Sequence, residues 1–464
     1  MVGFLGKFSS LLSLDKDAAK KILYLATSFF CITVSATIIR EMKNSLFIML
    51  AGIEYFIAIR FLSLLLLAPA TFLYMYLVDR MSRYELIKLY STVYAVITLC
   101  IVFLLSFIKV DLSISESSFF QKLFGWLIYI FYAGVAPYVV GLFWSIANSV
   151  ASPGEAQKGY AIIVALSRVG GIVVAAFAWC LFRFGHLYSW CSDLLINQIL
   201  LMIAALFFWL APRAIYSLFK DVKDDSMHGY EASYKKDHEK SKQNKKVSFF
   251  AGLLAIKKHF YLLAMFGMMF FYQLIHVMLG LKRFVILENS TASLSGLNEL
   301  LFQQRFIMGA LGLLISLFCT GPLINRFGER ICLLIIPAIS TILFLYSTIF
   351  YSDQAIIWSF MLIVALNFSF AKPLREILYI PTVNDIRFKT KAWIDSFGLK
   401  TSIGLGTILA GGFHHLALIG APFYTGLFFV VYGTISIFWF ITAWFLGRKY
   451  DDLIKANVVI GLKK

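Results

Sequence analysis

The chain has 464 residues, of which 60% are hydrophobic, 17% aromatic and only 14% charged, with a mean hydropathy of +0.81. A soluble domain carries about a quarter charged residues, so this balance excludes an ordinary cytosolic or secreted protein, and the long apolar runs exclude an outer-membrane barrel with its short alternating strands. Lysine and arginine number 42 against 25 aspartate and glutamate, a net +17 that would suggest nucleic acid in a soluble protein but here follows the loops between apolar runs.

A membrane-crossing helix takes about 20 apolar residues. In chain order the predicted spans are 22–39, 55–78, 87–108, 123–148, 160–183 and 194–212, then 259–281, 303–324, 331–350, 355–377, 396–419 and 422–446. The expected fold class is an all-α polytopic membrane protein with about 12 transmembrane helices in two six-helix bundles. Its parts are an N-terminal segment (1–21), a first bundle (22–218), a basic linker (219–258), a second bundle (259–447) and a tail (448–464). The linker interleaves Lys223, Lys235, Lys236, Lys240, Lys242, Lys245 and Lys246 with acids from Asp221 to Glu239, the pattern of a solvated connection. Six scattered cysteines show neither metal nor redox spacing and read as small packing residues. No removable signal peptide is evident before Lys21.

Basic loops stay in the cytoplasm. Lys7, Lys16, Lys20 and Lys21, the turn with Arg80 and Arg83, the linker, Arg326 with Arg330, Arg387 to Lys391 and the tail from Arg448 to Lys464 all fall on one side. Both termini are therefore expected in the cytoplasm. The turns after the second and eighth spans echo one another, Asp79-Arg80-Met81-Ser82-Arg83 and Asn325-Arg326-Phe327-Gly328-Glu329-Arg330. The second is similar to the cytoplasmic turn of the major facilitator superfamily. That likeness makes Asp79, Arg80, Asn325 and Arg326 candidate gating residues, and plain obedience to the positive-inside rule is the alternative.

Ionisable groups within a span cost about 2.5–3.5 kcal/mol each on insertion scales, so they tend to face a cavity. The first span ends Arg40-Glu41-Met42-Lys43, the second holds Arg60 and the fifth Arg168. The seventh carries His276 and ends Lys282-Arg283. The eighth begins near Arg305, the tenth ends Lys372-Pro373-Leu374-Arg375-Glu376, and the eleventh opens with Asp395 and Lys400. Cations outnumber the carboxylates Glu41, Glu54, Glu376 and Asp395, which points to an anionic cargo, and arginine with lysine suits a phosphate. Snorkelling to headgroups is the competing account for Arg283, Arg305 and Lys372. His276 reads equally as a hydrogen-bonded packing residue, and His414-His415 lacks partners at metal spacing. No phosphate-binding loop, zinc-protease motif or nucleophile elbow is found, so no enzyme activity and no cofactor is expected.

Four stretches carry a family likeness: Arg40-Glu41-Met42-Lys43-Asn44-Ser45-Leu46 with Glu54 and Arg60; Leu142-Phe143-Trp144-Ser145-Ile146-Ala147-Asn148 followed by Glu155 to Tyr160; Asn325-Arg326-Phe327-Gly328 followed by Ile335-Ile336-Pro337; and Pro373-Leu374-Arg375-Glu376-Ile377-Leu378-Tyr379-Ile380-Pro381 followed by Lys389 to Asp395. In this order they resemble the nucleotide transporter family of intracellular bacteria and plastids, which includes ATP/ADP translocases. The resemblance implies a major-facilitator-like carrier, working as a monomer in the lipid bilayer and exchanging ATP for ADP by alternating access. Proton-coupled uptake of another nucleotide, NAD or a phosphorylated metabolite is the alternative. It further implies a substrate set of Lys43, Arg60, Arg168, Lys282, Arg375, Glu376, Tyr379, Asp395 and Lys400, with no metal and no nucleic-acid partner. Tyr379 and Trp144 are candidates to stack a base, against core packing. The chain departs from the family at an acidic position of the fourth span, near Tyr132, at a glutamate of the seventh, now His276, and at a lysine of the eleventh, now Ile403. His276 is thus the candidate coupling residue for pH dependence.

Overall fold

The computed structural model describes residues 15–78, 80–107, 118–151, 153–188, 192–222, 256–291, 293–349, 352–382, 390, 393–394, 398–420, 423–456 and 460. Most of the basic linker, Asp79 and Asp395 lie outside these residues. The described chain is helical, apart from an isolated bridge between Thr382 and Ile460.

The first helix, α1 (Lys16–Ala51), is much longer than the apolar run that predicts it. Arg40, Glu41 and Lys43 lower the hydropathy there, yet they and Met42 are good helix formers, so the helix runs through them. It ends only at Gly52, whose φ of 97° an L side chain rarely adopts. Lys43 therefore stands two turns inside a helix rather than in a loop. A short 3₁₀ turn, Ile53–Tyr55, leads into α2 (Phe56–Val78). Next, α3 (Arg83–Leu105) starts with a capping box, in which Ser82 Oγ accepts from the Glu85 amide and the Glu85 carboxylate accepts from the Ser82 amide. Helix α4 (Phe119–Val150) passes through a π-helical stretch at Val135–Val140. The first half closes with α5 (Pro153–Tyr188) and α6 (Asp193–Asp221).

The second half comprises α7 (Phe260–Asn289), α8 (Leu294–Leu314) with a π turn at Ile315–Thr320, α9 (Gly321–Ile349), α10 (Asp353–Ile377) with a π turn at Asn367–Ala371, α11 (Leu399–Leu418) and α12 (Tyr424–Lys455). Ten stretches among the described residues are long and apolar enough to cross a membrane. One of them, Leu294–Ser347, is broken by Gly328, where φ is 72° and ψ 167°, and so holds two passes. Lys400, the glycines and the paired histidines make α11 less apolar than the others. Together these two features account for the difference between the ten stretches and the twelve spans expected.

The helices form two compact units, Met1–Lys245 with Thr291–Phe306, and Lys246–Ser290 with Ile307–Lys464. In the first, α1 packs on α4, α5 and α6, and α3 packs on α6. Lipid gives helices little hydrophobic reason to associate, so polar contacts and close fit matter more. The hydroxyls of Ser28 and Ser35 on α1 donate to the carbonyls of Ala211 and Ala204 on α6 at 2.9 and 2.8 Å. The start of α8 belongs to this unit as well. Asn298 donates to Asn197 Oδ1 at 2.6 Å, and Asn197 donates to Ser295 Oγ at 3.1 Å. In the second unit, α7 packs on α11 and α12, and α9 packs on α10 and α12.

Lys21, counted in the sequence among the cations of the cytoplasmic side, is a buried residue of α1. Its ammonium donates to both carboxylate oxygens of Glu155 on α5, at 3.0 and 3.2 Å, with only 1% of the lysine exposed. Tyr24, one turn further along α1, donates to the Asp221 carboxylate at the end of α6. These two contacts tie three helix ends together.

Candidate functional site

Each unit carries its own cluster of cations. In the first, Arg40 and Lys43 are three residues apart on α1 and thus share a face. Arg40 is within electrostatic reach of Arg305 and Glu41, and Lys43 is within reach of Arg40, Arg60 and Glu41. Glu41, 5% exposed, approaches Arg305 at 3.9 Å. Three of these cations, Arg40, Lys43 and Arg305, thus lie around one carboxylate, and Arg60 joins them beside Lys43. Crowding like charges is unfavourable, and an anion bound among them relieves that cost.

Aromatic rings form the floor beneath these cations. The Lys43 ammonium sits 4.5 Å from the centre of the Tyr129 ring, and the Arg60 guanidinium 4.5 Å from the Phe56 ring. Tyr129 and Phe56 meet edge to face at 6.0 Å, and Phe47 packs against both at 5.4 and 6.0 Å. A ring face offsets part of a cation's desolvation, about 0.5–2 kcal/mol, without neutralising it.

The second unit contains a tethered arginine. Arg375 Nη2 donates to Asn367 Oδ1 at 3.0 Å, and the Tyr272 hydroxyl also bonds Asn367 while lying near Arg375. Asn367 opens the π turn of α10, whose extra residue per turn re-aims the helix face that follows, including Arg375. The two π turns of this unit meet where Thr320 Oγ1 donates to the Ser369 carbonyl at 2.9 Å. Tyr272 stacks on His276 at 5.6 Å, and His276 stacks on Phe360 at 5.3 Å. Gln273 Nε2 lies 3.3 Å from His276 Nδ1. The imidazole is thus a layer in an aromatic column.

Of the other sequence-predicted residues, Arg168 is half-buried on α5, Lys400 is half-buried at the start of α11, and Glu376 is exposed. Tyr379 is 7% exposed and anchored by its neighbours, because Tyr261 donates to the Leu378 carbonyl at 2.7 Å. Trp144 is wedged among Phe29, Phe143 and Tyr160. Packing explains both aromatics. Lys282 lines a cavity of the second unit to which Arg375, Glu376, Tyr379 and Lys400 contribute nothing. In the turns, Arg80 is exposed over the Tyr76 ring, Arg83 donates to the Ser145 carbonyl at 3.2 Å, and Asn325 and Arg326 are exposed ahead of the Gly328 break. Among the described residues no set of histidine, cysteine, aspartate and glutamate is placed to hold a metal.

The structure therefore brings Lys43 and Arg60 together and adds Arg40, Arg305, Glu41 and Tyr129 to them. Around Arg375 it adds Asn367 and Tyr272. The sequence signals Arg40 and Arg305 as intramembrane charges. Nothing in it signals Tyr129, Tyr272 or Asn367, which are ordinary residues within apolar runs. At Tyr132, where the family likeness leads one to look for an acid, a buried hydroxyl donates to Thr98 at 3.1 Å, and Thr98 donates on to the Tyr94 carbonyl at 2.6 Å.

The family model described as TLC ATP/ADP transporter matches residues 122–450, more than half of the chain. Similar solved structures include a bacterial homologue of the iron transporter ferroportin in an inward-facing state, at 12% identity and TM-score 0.56, covering 92% of this chain and 98% of that one. The POT family transporter PepTSo is similar at 12% identity and TM-score 0.55, covering 94% and 98%. An auto-inhibited POT family peptide transporter is similar at 13% identity and TM-score 0.53, covering 93% and 96%. Identities this low establish a shared fold, that of major-facilitator-like transporters, and say nothing about cargo. No curated protein matches the chain.

Proposed function

The chain belongs to the TLC ATP/ADP transporter family, and from that premise we propose that it is a secondary carrier of nucleotides, with ATP/ADP exchange by alternating access as the leading case. It is a multi-pass membrane transporter, not an enzyme. The observation that carries the reading is the gathering of Arg40, Lys43 and Arg305 around one carboxylate, Glu41, with Arg60 beside Lys43. A cluster with that excess of charge suits a cargo with several negative charges, as a nucleoside di- or triphosphate has, better than one with a single phosphodiester link. Lys43, Arg60, Arg375 and Lys400 are the proposed phosphate contacts, and Glu376 and Asp395 orient the cations beside them.

Exchange follows from the same charges. An empty carrier that reoriented would occlude unneutralised cations in a medium of low dielectric, at several kcal/mol each, whereas bound polyphosphate cancels them. Purified protein in proteoliposomes should take up labelled ATP or ADP faster when the vesicles are preloaded with unlabelled nucleotide. Equal uptake into empty vesicles, abolished by an ionophore, would instead establish proton-coupled uptake. His276 is the proposed source of any pH dependence. Its replacement by alanine should flatten the pH dependence of transport, and an unaltered profile removes it from that role. We place both termini in the cytoplasm of a bacterial inner membrane, a topology that labelling of single introduced cysteines will test.

A further inference from the structure

The second unit contains a cavity of about 350 Å³ that the nucleotide reading does not use. It is formed by the end of α7, the start of α10, the end of α11 and the start of α12, all at the end of the unit remote from the Gly328 break. By the orientation proposed above, this is the non-cytoplasmic interface of the bilayer, the depth of lipid headgroups.

Its chemistry is mixed in a specific way. Lys282 is half-buried with its ammonium 5.1 Å from the Phe428 ring centre. Asp353 faces the same cavity and acts electrostatically on Lys282, yet none of the described ion pairs joins them. Opposite charges held apart across an open volume leave each needing a partner: an anionic group for the lysine and a cationic donor for the carboxylate. Phe413 and Phe428 supply ring faces for the cationic end. A polyphosphate fits poorly, because Asp353 repels it. Beside the cavity, Phe423, Leu427 and Val430 of the α12 region are exposed and offer a track for hydrocarbon.

We propose that this cavity binds the headgroup of a membrane phospholipid that is zwitterionic and bears a primary ammonium, of the phosphatidylethanolamine type. The phosphodiester pairs with Lys282 and the ammonium with Asp353, while the acyl chains lie along Phe423, Leu427 and Val430. Of the substrate residues expected from the sequence only Lys282 lines this cavity, and none of the phosphate contacts proposed above does, so failure of either reading leaves the other standing.

The test uses the full chain in mild detergent, offered equal amounts of phosphatidylethanolamine and phosphatidylglycerol, with retained lipid weighed by native mass spectrometry. The wild type should retain phosphatidylethanolamine at least about fivefold over phosphatidylglycerol, about 1 kcal/mol. Lys282→Gln and Asp353→Asn should each abolish the preference, and Lys282→Arg should keep it. Should Lys282→Gln fail to fold, the other two variants carry the test. Equal retention of both lipids by the wild type, or an undiminished preference in Asp353→Asn, overturns the proposal. So does displacement of the lipid by millimolar inorganic phosphate but not by O-phosphoethanolamine, because the cavity would then read only an anion.

Discussion

The two units handle intramembrane positive charge in opposite ways. In the first, Arg40, Lys43, Arg60 and Arg305 crowd together, and ring faces lie against Lys43 and Arg60. In the second, Arg375 is held by the amide oxygen of Asn367, itself bonded to Tyr272. A crowd supplies charge with little direction. A tethered guanidinium supplies direction, because its planar fork can be aimed at two phosphate oxygens at once. The difference is a division between a field that suits attraction of a polyanion, in the first unit, and an aimed contact that suits a phosphate, in the second.

The largest effect tests whether the scaffold of the first unit stands apart from its charge cluster. Lys21→Ala removes the ammonium from the Glu155 carboxylate and should cost about 3–5 kcal/mol of stability, read as a lowered melting midpoint in detergent, with Lys21→Met/Glu155→Gln recovering most of the loss. Next come the cluster residues. Lys43→Ala or Arg60→Ala removes one charge-assisted contact of about 1.5–3 kcal/mol, so kcat/KM for ATP uptake should fall about 10- to 100-fold, and less for AMP. Equal losses for ATP and AMP would mean that these cations support the fold rather than the polyphosphate.

A smaller effect separates tether from charge in the second unit. Asn367→Ala loses a hydrogen bond of about 0.5–1.5 kcal/mol and should raise KM about two- to tenfold with kcat little changed. Asn367→Asp keeps the hold on Arg375 but cancels its charge, and should be worse than alanine. If aspartate restores uptake, Arg375 is a structural residue and the proposed division fails. Smallest of all, Arg80→Ala alters an exposed side chain and should leave nucleotide affinity within about twofold. A changed exchange rate at unchanged affinity would assign that turn to gating.

Much of the fold is legible in the sequence because transfer of a helix into lipid is a sum over about 20 consecutive residues, and that sum needs no partner. The composition alone sets the fold class, the break at Gly328 is written in Asn325-Arg326-Phe327-Gly328, and the intramembrane cations are visible as interruptions of apolar runs. The same local sum misplaces the end of α1, since Arg40 to Lys43 look like a span boundary by hydropathy but continue as helix by backbone preference. The site is legible only in part. Lys43 and Arg60 stand out as charges, whereas their supports Tyr129 and Phe56 do not, because an aromatic residue within an apolar run carries no mark of the cation above it.

From the sequence alone follow an all-helical membrane protein, the approximate positions of its spans and an excess of buried positive charge. Tertiary structure alone decided which of those charges meet. Lys21 finds Glu155 across 134 positions, Arg305 reaches Glu41 from another helix, and Asn367 is turned toward Arg375 by a π turn. Such pairings depend on how each helix is rotated about its axis against its neighbours. Hydropathy is nearly blind to that rotation, and interhelical contacts fix it.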